Sequence, residues 1–405
     1  MRWSRFWIRF GFRFGILGGA ALALAVGTAD AAEPYDINVI ATLTGPSAFV
    51  GKYMKLDFDA FEEMVNDAGG IDGRPLHFTY SDSQSQPQVA VQLATDIIAN
   101  HPAVIMVTGP VANCAAVAPL LKNGPVMWCN SPALRPAAGS YGFASGPSGF
   151  DGFAALLHYF RANGWTKIGL LNTTDVTGQD ADFYIDKDLA LPENKGVMSL
   201  VAREHFNPSD LSVSAQIERI KASGAQAMFA WTTGSPAATV FKGMIQAGLD
   251  IPVAPTGGNE VFQQLEQYKS FLPPKMLIAS AIFPPHDGVV QLDPRIEAVQ
   301  HQMYQVLAKH GLKADNNTSD TWDAALITVA GLKALGTDVD ATRLRDWILK
   351  LKDFPGINGF YDFTTAPDRG LGHDSYTVVR YDPDGPDGPR WQWLSQIGGE
   401  PLKKP

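Results

Sequence analysis

Beyond residue 35 the chain alternates short apolar runs with segments of helical period. Ile37-Asn38-Val39-Ile40-Ala41 predicts a strand, and Thr44-Gly45-Pro46 predicts the turn after it. Met54, Phe58, Phe61 and Val65 recur at spacings of four, three and four, which places them on one face of a helix. Gly69-Gly70 stops that helix, Ile71-Asp72-Gly73-Arg74-Pro75 has turn chemistry, and Leu76 to Tyr80 predicts a second strand. The unit then repeats. Val89, Leu93, Ile97 and Ile98 mark a helix entered at Pro87, and Val104 to Val107 is a continuous apolar run of the kind buried on both faces of a parallel sheet. A further helix is expected over Ala112 to Lys122, closing at Asn123-Gly124, with Val126-Met127-Trp128-Cys129 as the next strand.

After the Gly/Ser/Pro-rich stretch Ser145 to Gly149 the alternation restarts. A helix is expected around Phe153 to Arg161, a strand at Ile168 to Leu171, a strand at Ala227 to Trp231, a helix at Ala237 to Gln246 and a short strand near Val253. This spacing predicts βαβ units and two α/β domains in tandem, each a doubly wound sheet. Past Phe283-Pro284-Pro285 three helical segments follow in succession, about Pro294 to His310, Ser319 to Leu335 and Ala341 to Leu351. Strand-like pieces close the chain at Phe360 to Phe363, Tyr376 to Tyr381 and Trp391 to Leu394. The late helices have too few strands to form a third domain. They are expected to return and cover the first sheet while the final strands join the second, so that the chain crosses between the halves three times and forms a hinge.

The N-terminus changes the picture of where the protein works. Arg2, Arg5, Arg9 and Arg13 make a basic region, Ile16 to Val26 is a short apolar stretch, and Ala29-Asp30-Ala31 offers small residues for cleavage. That order predicts a secretory signal peptide over 1–31, with an apolar run shorter than the roughly 20 residues of a spanning helix. Export to the periplasm is therefore expected, and the mature chain, with no other segment of membrane-spanning length, is expected to be soluble. Removing residues 1–31, with four Arg and one Asp, takes the formal charge from −9 to −12. An acidic chain without basic clusters repels nucleic acid and anionic lipid, so neither is expected as a partner. Cys114 and Cys129 lie in a compartment that permits a disulfide, and a local bridge and two buried free thiols both remain open from the sequence.

Catalytic signatures are missing from the sequence. Gly146-Pro147-Ser148-Gly149-Phe150 lacks the second glycine of a nucleophile elbow, and neither phosphate-binding glycine fingerprint occurs. Asp382 to Gly388 resembles a calcium loop only superficially, because the sixth and twelfth positions counted from Asp382 are Asp387 and Trp393 rather than glycine and glutamate. Two Cys and eight scattered His give no metal spacing, so no enzyme activity, metal or cofactor is expected. What remains are polar and small residues where strands end and helices begin, the positions at which open α/β sheets bind ligands. Thr108-Gly109-Pro110-Val111-Ala112-Asn113-Cys114 is one such turn, and Asn130-Ser131-Pro132-Ala133 is its neighbour. Asn113 and Ser131 with nearby backbone N–H groups suit a carboxylate, although the same residues serve equally well as caps and turns.

These segments resemble the type I solute-binding proteins of ABC importers, in the branched-chain (leucine/isoleucine/valine) amino acid branch. The likeness rests on Thr44-Gly45-Pro46, on Asn66 to Arg74 with its Gly-Gly-Ile-Asp-Gly-Arg turn, and on Tyr80-Ser81-Asp82-Ser83. Gly109-Pro110, Asn130-Ser131-Pro132-Ala133, Gly356-Ile357-Asn358-Gly359 and Asp368-Arg369-Gly370 add to it, so that it covers nearly the whole mature chain. It implies two doubly wound α/β lobes joined by a three-stranded hinge that closes over a ligand. Lobe I is expected at 36–146 plus 284–358, lobe II at 147–283 plus 359–396, and a tail at 397–405. It also implies that the first lobe holds a ligand carboxylate through Asn113, Ser131 and Ala133, beside Cys114, with Phe49 near the cleft mouth. The second lobe would contribute Thr177, Thr233-Gly234-Ser235 and the turn Thr256-Gly257-Gly258-Asn259.

The departures from the family concern specificity. Relatives place an acid near the Gly257 position to neutralise a ligand ammonium, and tyrosines where Thr177 and Gly234 fall. Here an ammonium would need Glu260 or Asp151 to reach in, since a buried charge without a partner is costly. Small residues at Gly234 and Gly257 leave room for a bulkier body, which Trp231 and Phe283 would wall. The expectation is a monomeric periplasmic receptor that binds a small organic carboxylate and delivers it to an ABC permease and ATPase in the inner membrane. A sensor of the same fold, signalling to a membrane partner, is the alternative.

Overall fold

The computed structural model describes residues 32–45 and 47–403. The expected signal peptide, Pro46 and the last two residues of the tail lie outside the described residues. The first sheet is built from β1 (Tyr35–Ala41), followed by α1 (Ala48–Asp67), β2 (Leu76–Asp82), α2 (Pro87–Ile98), β3 (Val104–Thr108), α3 (Val111–Val117), β4 (Val126–Asn130) and β5 (Gly142–Ala144). Its five strands run parallel in the order β2-β1-β3-β4-β5. All residues of β3 and β4 are buried, as the uninterrupted apolar runs require of strands covered on both faces. The helix expected over Ala112 to Lys122 is shorter, because Pro119 falls where the chain tightens into a 3-10 turn at Ala118–Leu120.

The second sheet follows after Ser145-Gly146-Pro147. It comprises α4 (Gly149–Ala162), β6 (Lys167–Thr173), α5 (Val176–Leu189), β7 (Ser199–Phe206), α6 (Ser214–Ala222), β8 (Ala227–Trp231), α7 (Ser235–Ala247), β9 (Val253–Pro255) and α8 (Phe262–Tyr268). The parallel order is β7-β6-β8-β9. Ser148 caps α4 through the Phe150 N–H, and Asp175 caps α5 through the Gly178 N–H. Gly248 closes α7 at φ 61°, a left-handed conformation that glycine adopts without a Cβ clash. β10 (Ile278–Ala281) then lies beside β9 through an isolated parallel bridge between Val253 and Met276.

Helices α9 (Pro294–Lys309), α10 (Asn316–Leu335) and α11 (Ala341–Ile348) come next. Met303, Leu307, Trp322, Ile327, Leu344 and Ile348 are buried in the same apolar cluster as the first sheet. β11 (Phe354–Gly356) and β12 (Gly359–Tyr361) form a small hairpin, and β13 (Tyr376–Asp382) and β14 (Arg390–Trp393) extend β10 as an antiparallel sheet. Val379, Trp391 and Trp393 pack with one face of the second sheet, and Tyr376 and Val378 with the other. One expected boundary needs correction. Tyr361, Phe363 and Leu371 pack into the first core rather than the second, with the Phe363 ring 6.1 Å from Trp128 and 5.6 Å from Phe143. Among the described residues no helix is long and apolar enough to cross a membrane.

Cys114 on α3 and Cys129 on β4 form a disulfide with Cα atoms 5.8 Å apart, both fully buried. The bridge ties α3 to the strand beside β3 and closes a loop of 15 residues. On the loop-entropy account such a bridge is worth about 3 kcal/mol. The paired Cys114→Ala and Cys129→Ala variant is therefore expected to lose about that much unfolding free energy, read from urea titration.

Candidate ligand-binding site

Loops at the carboxyl ends of the two parallel sheets contain most of the polar candidates. On the first sheet, Thr42 and Ser83 are the residues immediately after β1 and β2, and their hydroxyls lie 3.0 Å apart. Asn113, at the third position of α3, donates its amide to Thr42 Oγ1 at 3.3 Å and to Ser83 Oγ at 3.1 Å. It is fully buried, and its Oδ1 has no hydrogen-bond partner among the described residues. Asn113 thus gathers the tips of three strands. Gly109 belongs to this close approach, since φ is +93° and a Cβ there would lie 2.2 Å from Thr42 Oγ1.

The next loop carries Ser131 and Ala133, both half-buried. Its backbone is held from behind by Arg369, which is 5% exposed and donates to the carbonyls of Pro132 at 3.1 Å and Leu134 at 2.9 Å. Asn130 anchors the start of the loop through a 2.6 Å bond to the Asp320 carbonyl on α10.

On the second sheet the loops after β8 and β9 are stapled by one side chain. Asn259 donates to the Thr232 carbonyl at 2.7 Å and to Thr256 Oγ1 at 3.0 Å, while its Oδ1 accepts from Gly234 N at 3.1 Å and from Gln264 at 2.8 Å. Thr233 and Thr256 hydroxyls meet at 2.7 Å. With those partners Asn259 fixes the loop positions. Thr177 is half-buried in the first turn of α5, and Gly257 lies half-buried opposite the first turn of α10, where a Cβ would come within 3.6 Å of Asn316 Oδ1.

The two sets of loops meet. Phe49, 37% exposed at the start of α1, brings its ring tip within 3.9 Å of where a Cβ on Gly234 would lie. Asn316 N donates to the Glu260 carbonyl at 3.0 Å, joining α10 to the β9 loop. Arg135, exposed at the end of the Ser131 loop, pairs with Asp180 on α5 at 2.5 Å and donates to Tyr184 Oη at 3.3 Å.

Three expected residues sit elsewhere. Cys114 is spent in the disulfide and has no exposed surface. Phe283 is fully buried in the first core, where its carbonyl accepts from Tyr304 Oη. Trp231 is 5% exposed and packs against Phe153 at 5.0 Å and Phe229 at 6.0 Å, as a large aromatic at the buried end of a strand does. Each is core rather than cleft wall.

The acids also take specific places. Burial pushes Glu260 well above the usual carboxylate range, against a hydrogen bond from Ser280 Oγ at 2.7 Å. Asp151, in the first turn of α4, is also raised by burial, with Arg369 and His373 pulling the other way. Asp320, which the sequence does not single out, lies at the base of the loops. Burial raises it strongly, Asn316 donates to its Oδ2 at 3.0 Å, and a Cβ on Gly146 would lie 2.9 Å from its Oδ1. Nothing in the local sequence pattern points to Arg135, Asp180, Tyr184 or Asp320. Only Thr42 and Ser83, directly following apolar strands, carried a signal that the strand-tip rule detects. Two open grooves lie away from these loops, about 480 Å³ beside Phe262 and Tyr381 and about 520 Å³ beside His286 and Tyr304.

Comparison with known proteins agrees with this architecture. Solved structures superpose over most of the chain. A type 1 periplasmic binding protein from Bordetella pertussis has a TM-score of 0.73 at 20% identity, covering 89% of this chain and all of that one. The branched-chain amino acid substrate-binding protein LivJ of Streptococcus pneumoniae, solved with isoleucine, has a TM-score of 0.71 at 17% identity, covering 89% and 100%. A fatty acid ABC transporter substrate-binding protein from Thermomonospora curvata has a TM-score of 0.71 at 17% identity, covering 91% and 95%. At the sequence level, a Leu/Ile/Val-binding protein homolog of Brucella melitensis is 27% identical over 223 residues, a match that spans 53% of this chain and 59% of that relative. Residues 34–386 match the periplasmic binding protein family model. The chain accordingly belongs to the periplasmic binding protein family, and its fold is that of the type I members.

Proposed function

We propose that this protein is a monomeric periplasmic receptor that captures a small organic carboxylate, whether an amino acid, an aromatic acid or a related metabolite. It delivers that solute to an ABC permease and its ATPase. The lobes of this reading are 36–146 plus 284–358 and 147–283 plus 359–396, with Tyr361 to Leu371 packed back on the first. The observation that carries it is the meeting of strand-tip loops from two separate parallel sheets, with Phe49 set against Gly234 and α10 against the β9 loop. Ser131, Ala133, Thr177, Thr233, Gly234 and Gly257 are the residues placed to touch the ligand, while Asn113 and Asn259 hold the loops that present them.

The acids bear on the ligand class. Glu260 is buried, bonded to Ser280 and raised, which favours its neutral form over a fixed negative charge for an ammonium. Recognition through the ligand's carboxylate by hydroxyl and backbone N–H groups fits this set better than recognition through an amine. A ligand that binds only the folded state raises stability by about 2.7 kcal/mol at a hundredfold excess over Kd. In a thermal-melting panel of amino acids, aromatic acids, dicarboxylates and fatty acids, at least one carboxylate is therefore expected to raise the melting temperature of the wild-type protein. A panel in which every carboxylate leaves it unchanged refutes this ligand class.

A further inference from the structure

Arg135 reaches from the first-sheet loop that carries Ser131 and Ala133 to the helix that carries Thr177. Its guanidinium meets α5 in three ways. It pairs with Asp180, donates to Tyr184 Oη, and lies over the rings of Phe183 and Tyr184 at 5.1 and 5.6 Å from their centroids. A planar guanidinium suits this combination, since one group bonds a carboxylate in its plane and stacks on aromatic faces. The far side of the loop is fixed by buried Arg369 through the Pro132 and Leu134 carbonyls. The loop backbone therefore transmits to Ser131 and Ala133 any restraint imposed at Arg135.

We infer that Arg135 is a positioning residue that latches the two halves together, with Asp180, Phe183 and Tyr184 of α5 as its receiver. The inference rests on the solute-capture reading proposed above, with the two halves closing over the ligand. Opening the halves breaks the ion pair and both ring contacts at once, and it moves the candidate ligand residues at the two ends of the latch apart. The latch acts at the mouth. The Arg135 side chain is 52% exposed and that of Asp180 18%, so the pairing adds a bias toward closure rather than locking it.

The test uses ligand-free protein carrying spin labels on non-canonical amino acids at exposed Lys52 on α1 and Lys195 beyond α5, read by pulsed dipolar spectroscopy. Arg135→Ala is expected to lower the closed-to-open ratio about fivefold, and the milder Asp180→Asn by a similar or smaller factor. The charge-swapped pair Arg135→Asp with Asp180→Arg is expected to recover at least half of the loss. Raising the ionic strength to about 1 M should narrow the gap between wild type and Arg135→Ala. Circular dichroism and melting of each variant separate a folding defect from a loss of closure. Distance distributions that superimpose for wild type, Arg135→Ala and Asp180→Asn overturn the latch, as does a charge swap no better than the sum of its single changes. Failure of the solute-capture reading registers separately, as a ligand panel that leaves wild-type melting unmoved.

Discussion

Replacing Asp323 with alanine is expected to destabilise the protein by about 3–5 kcal/mol, the range for removing one partner of a buried charged network. Asp323 is fully buried on α10, and its carboxylate accepts from Ile357 N at 2.8 Å, Asn358 N at 3.0 Å and Tyr361 Oη at 2.9 Å. One side chain thereby fixes the turn between β11 and β12, where the chain leaves the late helices on its way back to the second sheet. Alanine leaves two buried N–H groups and a phenol without their acceptor, each costing about 1–3 kcal/mol. The turn packs directly on this carboxyl, since a Cβ on Gly356 would lie 2.7 Å from it. Urea unfolding followed by fluorescence would read the loss. An Asp323→Ala variant within 1 kcal/mol of wild type would show that water replaces the carboxylate in that turn.

The second large effect is a fall in stability as pH rises from about 4 to 8. Burial pushes Asp188 up to about 7, and both of its carboxylate oxygens are buried without a hydrogen-bond partner among the described residues. Burial also raises Asp323 to about 6, and it raises Asp57 and Asp315, two neighbouring acids on α1 and at the α10 cap. The sign follows from proton counting. Between the unfolded value of 3.8 and the folded value, the native state keeps a proton that the unfolded chain has released. Stability is therefore complete below pH 4 for these groups and is lost as pH rises through their folded values. For Asp188 alone the span from 3.8 to about 7 corresponds to roughly 4 kcal/mol. Asp188→Asn should flatten the pH profile of thermal melting and be more stable than wild type at pH 8. A profile for Asp188→Asn parallel to that of wild type would show that water reaches this carboxyl.

The fold was legible wherever strands are buried on both faces. β1, β3, β4 and β8 are apolar runs that read directly, and the helical stripes of α1 and α2 likewise. β7 was not, because it is an edge strand whose residues are mostly half-exposed, so Ser199, Arg203 and Glu204 carry no apolar run. α5 was missed for a similar reason, with polar Gln179, Asp180 and Asp182 interleaved among its buried positions. At the candidate site, the strand-tip rule points to these loops but not to the fate of their side chains. Asn113 reads as a ligand donor in the sequence, yet its amide is engaged by Thr42, 71 residues away, and Ser83, 30 residues away. Such pairings depend on sheet order, which local pattern does not encode. Trp231 and Phe283 mislead in the opposite sense, since an aromatic at a strand end looks the same whether it lines a cleft or fills a core.

The order in which the chain supplies the first core has a consequence for synthesis. The sheet formed by residues 35–144 shares its apolar cluster with Trp322, Ile327 and Leu344 on α10 and α11. A polypeptide emerging N-terminus first therefore carries an unfinished sheet, with part of its oily surface wet, until more than three quarters of its length has left the ribosome. The apolar face left wet in the meantime is the kind of surface that chaperones bind.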